Sequence, residues 1–278
     1  MAARPKRVTI RLIATDLDGT LFGPDHRPAP RTVAAINAAY DAGIHVTAAT
    51  GRSYFRGAAL APSTGAKLHH FIGSNGGHRL DYSNGELDER LTFPEDQLRE
   101  MTSVVRRELG NIGFGFEMSD DMAWDERFTE LSPFNLDGEH RSVRRPPDSL
   151  VGVGKVLLAH PDVHEVELVN LVASIMPSGV NVTTSGAHFV ELTPPGADKG
   201  AAVARLAEKL GIDASETLAF GDNQNDLTML SWAGRGVAMG NAHPLAQAAA
   251  NEHTVSNEDF GVAVVIEELL SGGSASTG

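Results

Sequence analysis

Cysteine is absent from all 278 residues, so this chain has neither a disulfide framework nor thiolate chemistry. Long apolar runs are missing too. No segment approaches the roughly 18 uninterrupted apolar residues a membrane helix needs. Positive charge is scarce: 23 Lys and Arg stand against 36 Asp and Glu, for a formal net charge of −13. That balance argues against nucleic acid and anionic membrane surfaces as partners. It also sets a condition on any anionic substrate, because the long-range field repels it and local cations must reverse the sign at the site. There is no internal repeat. The expectation from these absences is a cytoplasmic protein.

Hydrophobic residues make up 41% of the chain, an ordinary share for a globular protein and too many for disorder. The length exceeds what one hydrophobic core comfortably supports, which predicts two lobes. The start, "MAARPKRVTIRLIATDLDG", has the basic-then-apolar look of a signal peptide, but Arg11 and Asp16 interrupt it, and a buried strand over 8–15 fits better. "PRTVAAINAAYDAG" reads as a helix with Pro30 in its first turn and Gly43 at its stop. Strands are predicted at 44–50, 69–74 and 217–222, and a helix at 198–211 with Val203, Leu206, Ala207 and Leu210 on one face. Strands separated by helices imply βαβ units and a parallel sheet.

Between these halves the texture changes. "RLDYSNGELDERL" reads as a hairpin, with Asn84-Gly85 suited to a type I′ turn. A helix over 95–109, an aromatic-bearing strand at "IGFGFEM", a polar stretch, and the breaker Pro146-Pro147 follow. A strand at "VGKVLLAH", a helix over 162–176 and strands at "GVNVTTS" and "HFVELT" complete the region. The predicted organisation is an α/β core with a parallel sheet and helices on both faces, from residues 1–90 and 188–270. An α+β insertion occupies 91–187, and a disordered tail 271–278.

Unusual polar residues fall where the core strands end: Asp16 and Asp18 after the first, Thr50 after the second, Ser74-Asn75 after the third, Asp222 after "TLAFGD". Carboxyl ends of parallel strands are where ligands bind, so these residues can share one crevice. Three carboxylates gathered there need a cation, and hard oxygen ligands favour Mg²⁺. Lys199, opening a helix, adds fixed positive charge beside a helix N-terminus. Each element alone is ordinary: Asp-Gly is turn material, a single lysine is a surface residue, and Asp222 and Asp226 can simply cap a helix. Order and placement together set them apart.

The set resembles the haloacid dehalogenase superfamily. Its four motifs look like "DLDGT" at 16–20, Thr50 in "TAATGR", Lys199 in "GADKG" and "GDNQND" at 221–226. With "SNGG" at 74–77, "GVAMGNAHP" at 236–244 and the insertion, the chain is similar to the Cof-type branch with a large α/β cap (type IIB). Asp198 departs from the pattern, where a small polar residue is more usual, and puts an extra carboxylate beside Lys199. The resemblance implies a Rossmann-like core, with Asp16 as nucleophile and an aspartyl-phosphate intermediate. Mg²⁺ would be held by Asp16, the Asp18 carbonyl and Asp222, while Thr50, the Gly51 N–H and Lys199 grip phosphate. Asn225 and Asp226 would help from the phosphate side or from behind. Asp18 would serve as acid and base, which calls for a carboxyl kept protonated by neighbouring carboxylates. A second aspartate of this kind argues for a phosphate ester and against a carbon–halogen bond.

The expected activity is hydrolysis of a small-molecule phosphate monoester, a sugar or cofactor phosphate. A phosphomutase or phosphoryl transferase is the enzymatic alternative, and a noncatalytic ligand-binding protein the alternative outside enzymes. His160 and His164 have metal-like spacing, but Pro161 keeps His160 out of the helix and a solvated face is expected. His69-His70 should alternate in and out at a strand start. The basic stretch "RSVRRPP" (141–147) reads as an exposed loop of the cap. Phe114, Phe116, Trp124 and Phe128 should pack the cap interior.

Overall fold

In the computed structural model, residues 9–118, 121–131, 150–185 and 188–272 are described (the Ala61 side chain excepted), with the backbone of Ser142–Val143. The apolar segment after Arg11 becomes β1 (Leu12–Thr15), buried throughout. Its alternation serves two layers. Leu12 and Ala14 cluster with Val203, Leu206 and Ala207 of the helix Lys199–Leu210. Ile13 clusters with Ile36 of the helix Pro30–Asp41 and Ile266 of the helix Gly261–Ser271. A strand covered on both faces is what an apolar run in a parallel sheet predicts.

The parallel strands β2 (His45–Ala49) and β3 (His70–Gly73) follow, then β4 (His78–Asp81) and β5 (Glu86–Arg90), which return antiparallel. The hairpin is present, but the expected type I′ turn is not. Residues 82–85 form a four-residue connection, closed from the Gly85 N–H to the Asp81 carbonyl. Gly85 has φ 72° while Asn84 stays at negative φ, and a loop of that length needs no pair of left-handed residues.

A second sheet is built from β6 (Gly113–Glu117), β7 (Met122–Trp124), β8 (Ser142–Val143), β9 (Lys155–Ala159), β10 (Asn181–Thr183) and β11 (Val190–Thr193). Its order is β10-β11-β9-β6-β7-β8, antiparallel except for the β7–β8 pair. Helices Glu95–Leu109 and Glu165–Ile175 cover one face through Leu98, Met101, Val105, Leu168 and Val172, which meet Phe114 and Phe116. Trp124 and Phe128 pack with Phe189 in a separate cluster that Phe55 of the first lobe joins. The stretch that reads as polar thus hides β7 and the helix Glu126–Leu131.

The predicted boundary at 187 falls too early. Val190 and Leu192 bury themselves in the second core, and β11 pairs with β9 and β10. A strand stays with the core that receives its apolar side, so "HFVELT" belongs with the insertion.

The chain then returns to the first sheet with β12 (Thr217–Gly221), β13 (Arg235–Ala238) and β14 (Glu252–His253). The completed order is β14-β13-β12-β1-β2-β3-β4-β5, parallel from β14 through β3. The carboxyl ends of β12, β1, β2 and β3 therefore line one edge of the sheet, under the second lobe. Among the described residues no helix is long and apolar enough to cross a membrane. Apart from the Ser142–Val143 backbone, the basic stretch 141–147 lies outside the described residues, as do 273–278 of the tail. Ser271, expected in the tail, ends the last helix.

Candidate active site

Asp16 leaves β1 with its N–H bonded to the Phe220 carbonyl of β12, which fixes the backbone before the side chain is considered. The carboxylate is nearly buried, at 5% exposure. One oxygen, Oδ1, accepts from Lys199 Nζ at 2.7 Å, and the same ammonium donates to Asp226 Oδ1 at 2.7 Å. Lys199 is fully buried. Burial disfavours its charge, but Asp16 and Asp226 outweigh that and hold its pKa above the ordinary lysine value. Asp198, the departure from the expected pattern, caps the helix instead of facing this pair: Oδ1 accepts from the Ala201 N–H at 2.9 Å. Its charge is directed at the helix N-terminus, where it is stabilising.

Asp222 follows β12 and accepts from the Thr20 hydroxyl at 2.6 Å. Gly19, at φ 83°, is left-handed, and a side chain there would run into the Asp222 carboxylate. That is the structural content of the glycine in "DLDGT". Asp226 spends its second oxygen on the N–H groups of Asp222 and Asn223, both at 2.9 Å, so it is committed on both sides. Carboxylate oxygens of Asp16, Asp222 and Asp226 lie within 4.8 Å of one another. Burial pushes the Asp16 pKa well above its ordinary value even against Lys199. Burial, then the Asp226 charge, pushes Asp222 up to about 7. Two buried carboxylates short of positive charge, in an all-oxygen donor set, fit a hard divalent cation.

Asp18 does not sit among carboxylates as expected. Arg52 grips it with both prongs, Nε to Oδ2 at 2.6 Å and Nη2 to Oδ1 at 2.5 Å, and His26 Nδ1 lies 3.1 Å from Oδ1. Burial raises its pKa, but these partners outweigh that and hold it below the ordinary carboxylate range. In this arrangement Asp18 is a carboxylate, not an acid. A bidentate guanidinium is among the strongest partners a carboxylate can have.

Thr50 closes β2 at 1% exposure, and its Oγ1 accepts from the Arg52 N–H at 3.2 Å. The loop after β3 is tied to it, with the Asn75 N–H on the Thr50 carbonyl at 3.0 Å. Ser74 and Asn75 are both left-handed, at φ 54° and 53°, a conformation that costs non-glycine residues free energy and that asparagine tolerates best. It aims Asn75 at Asn225, whose Nδ2 donates to Asn75 Oδ1 at 3.1 Å. Asn225 Oδ1 is buried with no protein partner. Of the residues singled out from sequence, Asp16, Lys199, Asp222 and Asp226 thus form one connected cluster. Thr50, Gly51 and Asn225 form a second group tied by Asn75, and Asp18 is held aside.

Sequence reading missed Thr20 and Arg52, although each lies inside a quoted motif, and it placed Asn75 at the crevice without giving it a partner. It also missed Glu117, Lys155 and Glu191 of the second sheet, where the signal is a single charge in an otherwise apolar strand. His160 and His164 do not converge: His160 Nδ1 accepts from the Asp162 N–H, and His164 is the residue before the helix Glu165–Ile175. His70 is buried, while His69 is half-buried and stacks on Tyr40 at 4.0 Å. A cavity of about 500 Å³ opens beside Lys199, Asn75 and Asn225 and reaches Val180–Thr183 of the second lobe.

Over residues 13–266 the chain matches the family of haloacid dehalogenase-like hydrolases. It is similar to the HMP-PP phosphatase of Serratia proteamaculans, with 32% identity over 244 residues covering 84% of this chain and 85% of that one. It is also similar to the 5-amino-6-(5-phospho-D-ribitylamino)uracil phosphatase YcsE of Bacillus subtilis, with 30% identity over 276 residues covering 97% and 100%. The HAD subclass IIB sugar phosphatase BT4131 shares the fold, with a TM-score of 0.77 over 93% of this chain and 98% of that one at 21% identity.

Proposed function

The chain belongs to the haloacid dehalogenase-like hydrolases and is a phosphatase of that superfamily, and on that footing we propose that it hydrolyses a small-metabolite phosphate monoester with Mg²⁺, through phosphorylated Asp16. The observation that carries this reading is the Asp16 carboxylate. It is buried, oriented through Oδ1 by Lys199, and has Oδ2 left for attack on phosphorus. As the new Asp16–phosphorus bond forms, the ester oxygen–phosphorus bond breaks, and the leaving oxygen takes a proton from Asp18. Water then attacks the phosphorylated Asp16, giving its proton back to Asp18 and releasing inorganic phosphate.

For that exchange Asp18, ionised while clamped, must leave Arg52 and take up a proton from solvent, so the clamped arrangement is a resting one. Thr50, the Gly51 N–H and Asn225 hold the phosphoryl oxygens, and Lys199 offsets the charge shared by Asp16 and Asp226. Asp16, Asp222 and the Asp18 carbonyl would hold Mg²⁺, which would supply positive charge against the phosphoryl oxygens. The cavity beside Lys199 and Asn225 has the volume of a small-metabolite site. It would take the non-phosphate part of an HMP-PP-like or phosphoribityl substrate, or of a sugar phosphate.

The test is phosphate release from a panel of sugar, nucleotide and cofactor phosphates, with Mg²⁺ and with EDTA. We expect Mg²⁺-dependent release from a narrow subset. Release that appears only when a bisphosphate is added would replace hydrolysis by phosphoryl transfer, and no release from any ester would end the reading.

A further inference from the structure

Three charged side chains of the second sheet take no part in the reaction just described, yet all are buried: Glu117 is 1% exposed, Lys155 3% and Glu191 2%. They come from the adjacent strands β6, β9 and β11. Lys155 Nζ lies 3.0 Å from Glu117 Oε2 and 3.2 Å from Glu191 Oε1. Its third contact crosses to the other lobe, where it donates to the Gly51 carbonyl at 2.7 Å. An ammonium has three N–H donors, so Lys155 has none left for a substrate.

The remaining carboxylate oxygens reach the same place. Glu117 Oε1 takes the Ser74 hydroxyl, and Glu191 Oε2 takes Asn75 Nδ2 at 2.9 Å. The cluster therefore holds the loops after β2 and β3 together. The peptide whose oxygen faces Lys155 has Arg52 as its N–H, and that N–H donates to Thr50 Oγ1. Drawing electron density onto the Gly51 oxygen makes the Arg52 N–H a better donor. A threonine oxygen that already accepts has its own proton left to give.

We infer that Lys155 is a positioning residue for phosphate: from the second lobe, through the Gly51–Arg52 peptide, it sets the Thr50 hydroxyl to donate to a phosphoryl oxygen. The inference rests on the phosphatase reading above. Its consequence is that the phosphate grip is complete only while the second sheet is docked on the Gly51 loop. Lys155 then acts on the part common to all phosphate esters, not on the leaving group.

The variant is Lys155→Met, but it leaves two buried carboxylates around one missing cation and is at risk of not folding. Lys155→Met with Glu117→Gln avoids this, because two carboxylates and one ammonium carry −1, as does the Glu191 carboxylate left behind. In full-length protein we expect kcat to fall roughly ten- to a hundredfold, by a similar factor for p-nitrophenyl phosphate, acetyl phosphate and any ester from the panel. Made in a Thr50→Val background, the same change should cost less than about twofold, because the coupled partner is gone. A loss that multiplies with Thr50→Val, or that reorders the esters, would overturn the inference.

Orthovanadate binding in the presence of Mg²⁺, read by calorimetry, is expected to weaken in the same variant, and unchanged affinity would also overturn it. Because that readout needs no turnover, a wild-type protein that releases no phosphate would end the phosphatase reading without deciding this one.

Discussion

Asp16 and Lys199 are where the charge balance of the molecule is decided residue by residue. The lysine is held charged by two carboxylates, but one of them, Asp16, is itself pushed toward neutrality by burial. Ionising Asp16 in the folded state therefore carries a cost that the unfolded chain does not bear. Asp16→Asn removes that cost along with the nucleophile. Phosphate release should drop by on the order of 10⁴-fold or more. In EDTA the protein should become more stable by about 0.5–2 kcal/mol, read as a melting temperature raised by a few degrees. A lowered melting temperature would mean that the Asp16–Lys199 pair stabilises the fold outright. The acidic residues at strand ends were legible in sequence because charge has no reason to stand there without a partner. The Arg52 clamp was not, since the contact spans 34 positions and depends on two side-chain rotamers. Sequence order brings the residues near one another but leaves open which cation each carboxylate faces.

At the scale of elements, the long strands and helices could be read because their apolar periods match the layers they face. β7 could not, because three residues are too few to show alternation and acidic residues flank them. β11 was seen as a strand completing the inserted region, but the boundary drawn at 187 cut it off, since its alternation shows that a core exists without saying where that core ends. β2 and β3 carry a further property that no motif announces. His70 is buried, its Nδ1 has no partner, and burial lowers its pKa to about 4. His69 Nδ1 accepts from the Val46 N–H at 3.1 Å, a bond that only the unprotonated nitrogen makes. Between about pH 6.5 and 4 the unfolded chain binds a proton at position 70 that the folded chain refuses, so this residue's contribution falls with acidification. Asp222, pushed the other way, gains stability over much of that range, so the measurement must be a difference. Wild type and His70→Gln compared by urea unfolding at pH 7.5 and 4.5 should diverge on acidification. Wild type should lose on the order of 1–2 kcal/mol relative to the variant. A difference that stays constant across the two pH values would mean that His70 takes up its proton in the folded state.

For the molecule as a whole, the acidic balance visible in composition meets the site it surrounds. Near phosphate the structure offers Lys199 and Arg52, and both are engaged by aspartates. Asp16, Asp18, Asp222 and Asp226 outnumber them by two, so a bound divalent cation brings the site to about neutrality rather than making it strongly attractive. The long-range field of a chain with net charge −13 then acts on an approaching phosphate dianion with little local compensation. Salt weakens repulsion as readily as attraction. Raising NaCl from about 10 to 100 mM shortens the screening length from about 30 to 10 Å. At constant saturating Mg²⁺ this should raise kcat/KM roughly two- to fivefold for an ester whose capture limits that ratio. Because chemistry proceeds after capture, inside the lobes and away from bulk ions, kcat should stay where it is. If kcat/KM falls instead, the cations at the mouth of the site outweigh the acidic surface, and substrate is drawn in by the site against the field of the rest of the protein.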